Sequence, residues 1–158
     1  VKKINLNKNY LNNLNNNLYL VYTGLSRYSD SISSTYIKNV SNLKKTQIKK
    51  ILDSVNIGKK IFKNNQLDEF GDLLNETWTA KKELSKAISN KKIDWIYDKG
   101  LKSGAIGGKL LGAGGGGFIL FYVPQKFKDK FKNKMNKYTI IPFRFSNEGS
   151  SIILNKNR

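Results

Sequence analysis

Between Lys109 and Pro124 the chain reads KLLGAGGGGFILFYVP, in which residues 112–117 are glycine except for one alanine. No other stretch limits the possible folds so much. Glycine loses more freedom on folding than any other residue, so a run of it is kept where another backbone or a ligand comes very close. The apolar FILFYV that follows predicts a strand that anchors the run in a sheet.

The remaining elements can be read around that anchor. LYLVYTG is apolar on both faces and ends in Gly24, which predicts a buried strand. Before it, INL reads as an edge strand and NKNYLNNLNNN as a loop or weak helix. After it, SRYSD offers caps for a helix with Ile32, Tyr36, Val40 and Leu43 on one stripe. A second helix carries Ile48, Ile51, Leu52, Val55 and Phe62 and breaks at Asn64 and Asn65. A third opens near Asp68 with Leu67, Phe70, Leu74, Thr77, Trp78, Lys81 and Leu84 on one face. SNKK restarts a shorter helix with Ile93, Ile96, Tyr97 and Leu101, and the glycine region is expected to follow it directly. Pro124 opens a basic helix with Phe127, Phe131 and Met135 four apart. YTIIPFRF, SNEGS and SIIL predict a closing β-hairpin, with Pro142 marking a free edge nearby. The fold class expected is α+β, one domain over 1–158: an antiparallel sheet with several helices packed on one side.

Composition excludes whole classes of chemistry. The 158 residues contain no cysteine and no histidine. Disulfides, thiolate or imidazole metal sites and every His- or Cys-based catalytic arrangement are therefore ruled out. No apolar run approaches the roughly 20 residues of a membrane helix, and VKKINLNKNY has no signal-peptide core. The expectation is a cytoplasmic protein with no membrane partner, and the start at Val1 suggests a piece of something longer. The formal net charge is +18, with 29 Lys+Arg against 11 Asp+Glu. Such an excess suits a polyanion, but Lys, Asn and Ile share A/T-rich codons and are overused together here. Arginine, the preferred reader of bases and phosphates, occurs only at Arg27, Arg144 and Arg158. A nucleic-acid partner is accordingly not expected, and QKFKDKFKNKMNK reads as a solvated helix covering the sheet.

Two phosphate-binding motifs fail on inspection. Gly112, Gly114 and Gly117 match G-x-G-x-x-G, but that fingerprint needs a strand before the loop and a helix after it. The expected order here is helix, loop, strand. A P-loop, G-x-x-x-x-G-K-[ST], would place Ser103 at its first glycine and Leu110 at its Mg²⁺-binding hydroxyl. The plain alternative is a strained helix-to-strand corner.

GAIGGKLLGAGGGGF resembles the third motif of the GHMP small-molecule kinases. LYLVYTGLSRYSDSI, LDEFGDLLNETWTAKKELS and IPFRFSNEGSSII, in this order, resemble the branch of that family that phosphorylates heptose 7-phosphate. The resemblance implies a kinase that moves the γ-phosphoryl of ATP, with Mg²⁺, onto the anomeric hydroxyl of a sugar phosphate. A relative acting on another sugar, such as fucose, is the near alternative, and a basic nucleic-acid-binding module is the rival from another class. It further implies a ferredoxin-like C-terminal domain whose partner is the protein's own N-terminal kinase domain. The phosphate loop and the acidic catalytic residue belong to that domain, so no catalytic residue and no metal ligand is expected in this segment. No GLGSS stretch occurs here, and the fragment alone is expected to be inactive.

By the same resemblance, Gly112, Gly114, Gly115 and Gly116 form a loop that faces the ATP phosphates. Its bare N–H groups can turn toward phosphate oxygens. Lys81 falls on an apolar stripe, so it either snorkels outward or points into a polar cleft, and the resemblance suggests contact with the sugar phosphate. Arg27, on the loop after the buried strand, is a candidate for bidentate phosphate recognition or for a salt bridge to Asp30 or Glu148. Thr23 could support it with a hydroxyl. Lys109, at the expected start of the loop, either faces phosphate or is solvated. Arg144 and Glu148 read as a cross-strand ion pair.

Overall fold

A computed structural model describes residues 4–26, 45–142 and 144–146. Its strands are β1 (Leu18–Tyr22), β2 (Gly107–Leu110), β3 (Phe118–Tyr122) and β4 (Ile140–Pro142). Its helices are α1 (Lys8–Asn17), α2 (Lys45–Asn64), α3 (Leu67–Lys82), α4 (Lys91–Lys102) and α5 (Lys128–Lys134). The strands form one antiparallel four-stranded sheet in the order β2-β3-β1-β4. The α+β class expected from the sequence is the one found.

The sheet is built on its middle pair. Tyr19 lies opposite Phe121 and Val21 opposite Ile119; with period-two alternation these four share one face. The larger core gathers there, with Trp78 from α3, Ile93, Ile96 and Tyr97 from α4, and Phe131 and Met135 from the region of α5. Leu18 and Tyr122 point the other way and meet Leu14 of α1 and Leu74 of α3 in a smaller cluster.

Local chemistry explains most of the boundaries. The Asn7 side chain accepts from the Tyr10 N–H at 2.7 Å and caps α1. With Tyr10 and Leu14 buried, the Asn-rich stretch becomes a firm ten-residue helix rather than a loop. Asn90 caps α4 through bonds from Lys92 and Ile93. Asn65, at φ 58, takes the left-handed conformation that ends α2.

Several expectations are corrected. Residues 4–6 form no strand; both sides of β1 are already taken, by β3 and β4. On α2, Leu52 is 64% and Val55 56% exposed, whereas Gly58 and Ile61 are buried. The helix is turned so that Gly58 faces Leu73 of α3, where a β-carbon built on the glycine would reach the leucine at 3.4 Å, and a count of apolar side chains overlooks glycine as a buried position. A further strand, β2, stands between α4 and the glycine run. The expected helix of Ile32, Tyr36, Val40 and Leu43, and the turn and second strand of the closing hairpin, lie outside the described residues. Pro142 is in β4, at the edge of the described sheet.

Glycine sets the distance between α3 and β2. A β-carbon on Gly107 would lie 2.0 Å from the Gly71 carbonyl oxygen, and one on Gly71 would lie 2.9 Å from Ile106 and Tyr122 side-chain atoms. The helix therefore rests almost backbone to backbone on the strand. That close approach carries the C-terminal turn of α3, with Lys81, toward the loop that follows β2.

Candidate functional site

Residues 111–117 connect β2 to β3, so the glycine run is the turn of a β-hairpin and neither a helix-to-strand corner nor the start of a dinucleotide-binding helix. The strand before it was missed because GGKL has no β-branched or aromatic residue. The dinucleotide fingerprint still fails, now because no helix follows the loop.

The glycines are required by conformation and by crowding. Gly112, Gly114, Gly115 and Gly117 have φ of 77, 133, 75 and 93, a region costly for residues with a β-carbon. At Gly116 a β-carbon would sit 2.7 Å from the Leu25 carbonyl oxygen. The close neighbour predicted from sequence is thus the chain just after β1.

Backbone bonds fix the loop at its base and on one flank. Leu111 donates to the Phe118 carbonyl at 2.9 Å, Gly115 to Ile88 at 2.9 Å and Gly117 to Leu25 at 2.8 Å. The N–H groups of Gly112, Ala113, Gly114 and Gly116 have no hydrogen-bond partner among the described residues. They border a cleft of about 310 Å³ that Tyr22, Leu25, Ser26 and Leu111 help to line. Of the four glycines expected to face phosphate, three keep a free donor, while Gly115 is buried and uses its own within the domain.

Two lysines flank this hairpin. Lys81, one turn beyond the fully buried Trp78, donates through Nζ to the Gly112 carbonyl oxygen. Burial, and then the neighbouring charge of Lys109, lower its pKa to about 8. Lys109 lies within β2, opposite Leu120, rather than at the start of the loop. Burial lowers its pKa as well. Neither lysine has an ion-pair partner among the described residues, where the ion pair found is Lys82 with Asp94 at 3.3 Å. Two half-buried cations without a carboxylate form a local excess of positive charge, an arrangement that favours an anion.

Thr23 is 1% exposed. Its hydroxyl donates to the Gly117 carbonyl at 2.8 Å and accepts from the Leu25 N–H at 3.3 Å. The first bond ties the end of β1 to the base of the hairpin, and the second closes the turn that follows the strand. Arg27, Asp30 and Glu148 lie outside the described residues, and Arg144 is exposed. The structure thus brings together Lys81, Lys109, Thr23 and the glycines. It adds the carbonyls of Leu25 and Ile88, which no side-chain pattern could have flagged. Among the described residues no group of His, Cys, Asp and Glu is arranged to hold a metal ion, and no helix is long and apolar enough to cross a membrane.

A larger hollow, about 740 Å³, lies at the far end of β3 among Asn13, Asn16, Asn17, Asn65, Gln66 and Tyr122. There Asn17 donates to the Tyr122 hydroxyl, which donates to Asp68. The polar groups at its base satisfy one another, and no lysine or arginine lines it.

An antiparallel sheet of order β2-β3-β1-β4, with α3 laid on β2 and a glycine hairpin at one end, defines the class: a ferredoxin-like α+β domain. Residues 59–140 match the family described as GHMP kinases C terminal. The chain belongs to that family. It is 35% identical over 86 residues to the D-glycero-alpha-D-manno-heptose 7-phosphate kinase of Campylobacter jejuni, covering 51% of this chain and 25% of that protein. It is 29% identical over 123 residues to the bifunctional fucokinase/GDP-fucose pyrophosphorylase of Arabidopsis thaliana, covering 76% of this chain and 12% of that protein. The mevalonate kinase of Methanococcus jannaschii superposes with a TM-score of 0.73 at 27% identity, over 92% of this chain and 45% of that one. The chain therefore spans a quarter or less of each of these two curated relatives.

Proposed function

We propose that this chain is the C-terminal half of an ATP-dependent kinase whose acceptor is a phosphorylated sugar, heptose 7-phosphate fitting best. The observation that carries the reading is the pair Lys81 and Lys109, half-buried beside the glycine hairpin with no ion-pair partner among the described residues. A phosphorylated acceptor or the nucleotide's phosphates would neutralise that charge, and with a neutral sugar the nucleotide alone would have to do so.

In this reading the unpaired N–H groups of Gly112, Gly114 and Gly116 face phosphate oxygens, and Gly115 shapes the turn. Phosphoryl transfer asks the protein mainly to position groups and spread charge, and rigid N–H donors do both. ATP supplies the phosphoryl group, and Mg²⁺ arrives with it. The residues present suit the anionic nucleotide, and the metal's protein ligands would come from the protein's own N-terminal domain. Thr23 serves by holding the loop's base, and Arg27 is retained as a substrate-side candidate. We place the protein in the cytoplasm, as a kinase fed by ATP requires.

A free-sugar kinase is the second reading, favoured by the longer stretch shared with the fucokinase. Full-length protein offered heptose 7-phosphate, fucose and galactose with MgATP separates the two. Turnover with the phosphorylated sugar, lost about a hundredfold in Lys109→Met, supports the first. Equal turnover of free fucose by wild type and Lys109→Met would refute it.

A further inference from the structure

Between the bonds donated by Leu111 and Gly115, the hairpin is held at one point among the described residues, the Gly112 carbonyl gripped by Lys81. No other hydrogen bond to that peptide is found among the described residues. Gly112 is exposed, lies at φ 77, and has open space where a β-carbon would be. Turning over the plane between Gly112 and Ala113 rotates ψ of Gly112 and φ of Ala113; glycine accepts the change freely, so the bond from Lys81 and the preference of Ala113 for negative φ are what oppose it. In a trans peptide the C=O and N–H point in opposite directions. Fixing the Gly112 oxygen on Lys81 therefore turns the Ala113 N–H away from Lys81. That N–H has no hydrogen-bond partner among the described residues, and Ala113 lines the cleft.

We propose that Lys81 is a positioning residue that holds the Gly112–Ala113 peptide in one orientation, keeping the Ala113 N–H as a donor for an anionic oxygen in the cleft. The peptide turned over would present a carbonyl oxygen there, which an anion avoids. Lys109, for which no hydrogen bond is found among the described residues, is the cation left to touch the ligand. This division of labour rests on the kinase reading only for the identity of the anion. Lys81 is well suited to it: Trp78, fully buried one turn earlier, fixes the end of α3 from which the lysine reaches.

The test uses the full-length protein with Lys81→Met, which keeps the length of the stem but not the ammonium, and Lys81→Arg, which keeps a cation and a donor. In Lys81→Met, kcat should fall about ten- to a hundredfold, the loss expected for one charge-assisted bond expressed in the transition state. KM for acceptor and ATP should stay within about threefold, and Lys81→Arg should recover most of the loss. Without nucleotide, backbone ¹⁵N relaxation should show residues 112–114 more mobile in Lys81→Met and as ordered as wild type in Lys81→Arg. A raised acceptor KM at unchanged kcat would make Lys81 a direct ligand contact and overturn the proposal. If wild type transfers no phosphoryl group, the kinase reading fails by itself. The relaxation data then decide: unchanged mobility over 112–114 in Lys81→Met overturns the positioning role. Should Lys81→Met not fold, greater mobility over 112–114 in folded Lys81→Arg would overturn it equally.

Discussion

Gly107→Ala is the smallest change that tests how the fold positions the site. The added methyl would lie 2.0 Å from the Gly71 carbonyl oxygen and 2.9 Å from the Asn75 β-carbon. Carbon and carbonyl oxygen approach no closer than roughly 3.3 Å even in favourable contacts. Helix α3 must therefore retreat by more than about 1 Å. Overpacking typically costs 1–3 kcal/mol, and here the obstacle is helix backbone, which cannot rotate aside as a side chain can. The expected loss is about 3 kcal/mol, or roughly 6–12 °C in Tm for a domain of this size. Urea and thermal melts of the full-length protein measure it, with exposed Lys102→Ala as a control expected to stay within about 0.5 kcal/mol. Withdrawing α3 also draws Lys81 away from Gly112. Turnover measured well below the new Tm should thus fall beyond what unfolding explains. A variant melting within about 2 °C of wild type would refute the backbone-to-backbone packing of α3 on β2.

Gly116→Val puts a branched side chain where a β-carbon already meets the Leu25 oxygen at 2.7 Å. Kinase turnover should drop at least about tenfold with a modest fall in Tm; normal turnover would remove the hairpin from the site. The Tyr97 hydroxyl, its pKa pushed up to about 12 chiefly by burial, donates to Asn75 Oδ1 at 2.7 Å. Tyr97→Phe should cost about 1 kcal/mol in urea unfolding, and no measurable loss would mean that the bond is replaced by water. Lys81 is charged below about pH 8. Turnover at saturating MgATP should therefore fall above that pH, toward about tenfold per pH unit at most. Lys81→Arg should flatten the profile, and a flat wild-type kcat curve from pH 7 to 9.5 would exclude the Lys81 charge from turnover. Stability moves the other way. The folded pKa of Lys81 lies below the ordinary 10.5, so between about 8 and 10.5 the unfolded chain holds more protons, and this group's contribution rises with pH.

Elements whose own side chains carry the pattern were readable from the sequence. FILFYV and LYLVY became the two central strands because nearly every position is apolar, whichever face it presents. Helix α4 followed from its stripe and from Asn90. What escaped was held by backbone. Strand β2 reads as GGKL, without a β-former in its first half, and it is a strand because β3 pairs with it and α3 presses on Gly107. The contact face of α2 was misjudged for a related reason, since Gly58 is one of its buried positions and has no side chain to register in an apolar stripe. Glycine contributes to this fold through proximity, and proximity is a property of two segments at once.

The same distinction runs through the site. The glycine run announced that something must come close, and the resemblance to GHMP kinases suggested a phosphate. The structure adds a second neighbour inside the domain, the Leu25 carbonyl, and so divides the loop into positions that serve the fold and positions left open. Gly115 and Gly117 spend their N–H groups on Ile88 and Leu25, whereas Gly112, Ala113, Gly114 and Gly116 do not. Lys81 was visible as a cation out of place on an apolar stripe, but its partner was not, because a carbonyl 31 positions away leaves no trace in residue type. A lysine that binds a ligand and a lysine that holds a loop for a ligand look identical in sequence. They part only in kinetics, where the first changes KM and the second changes kcat.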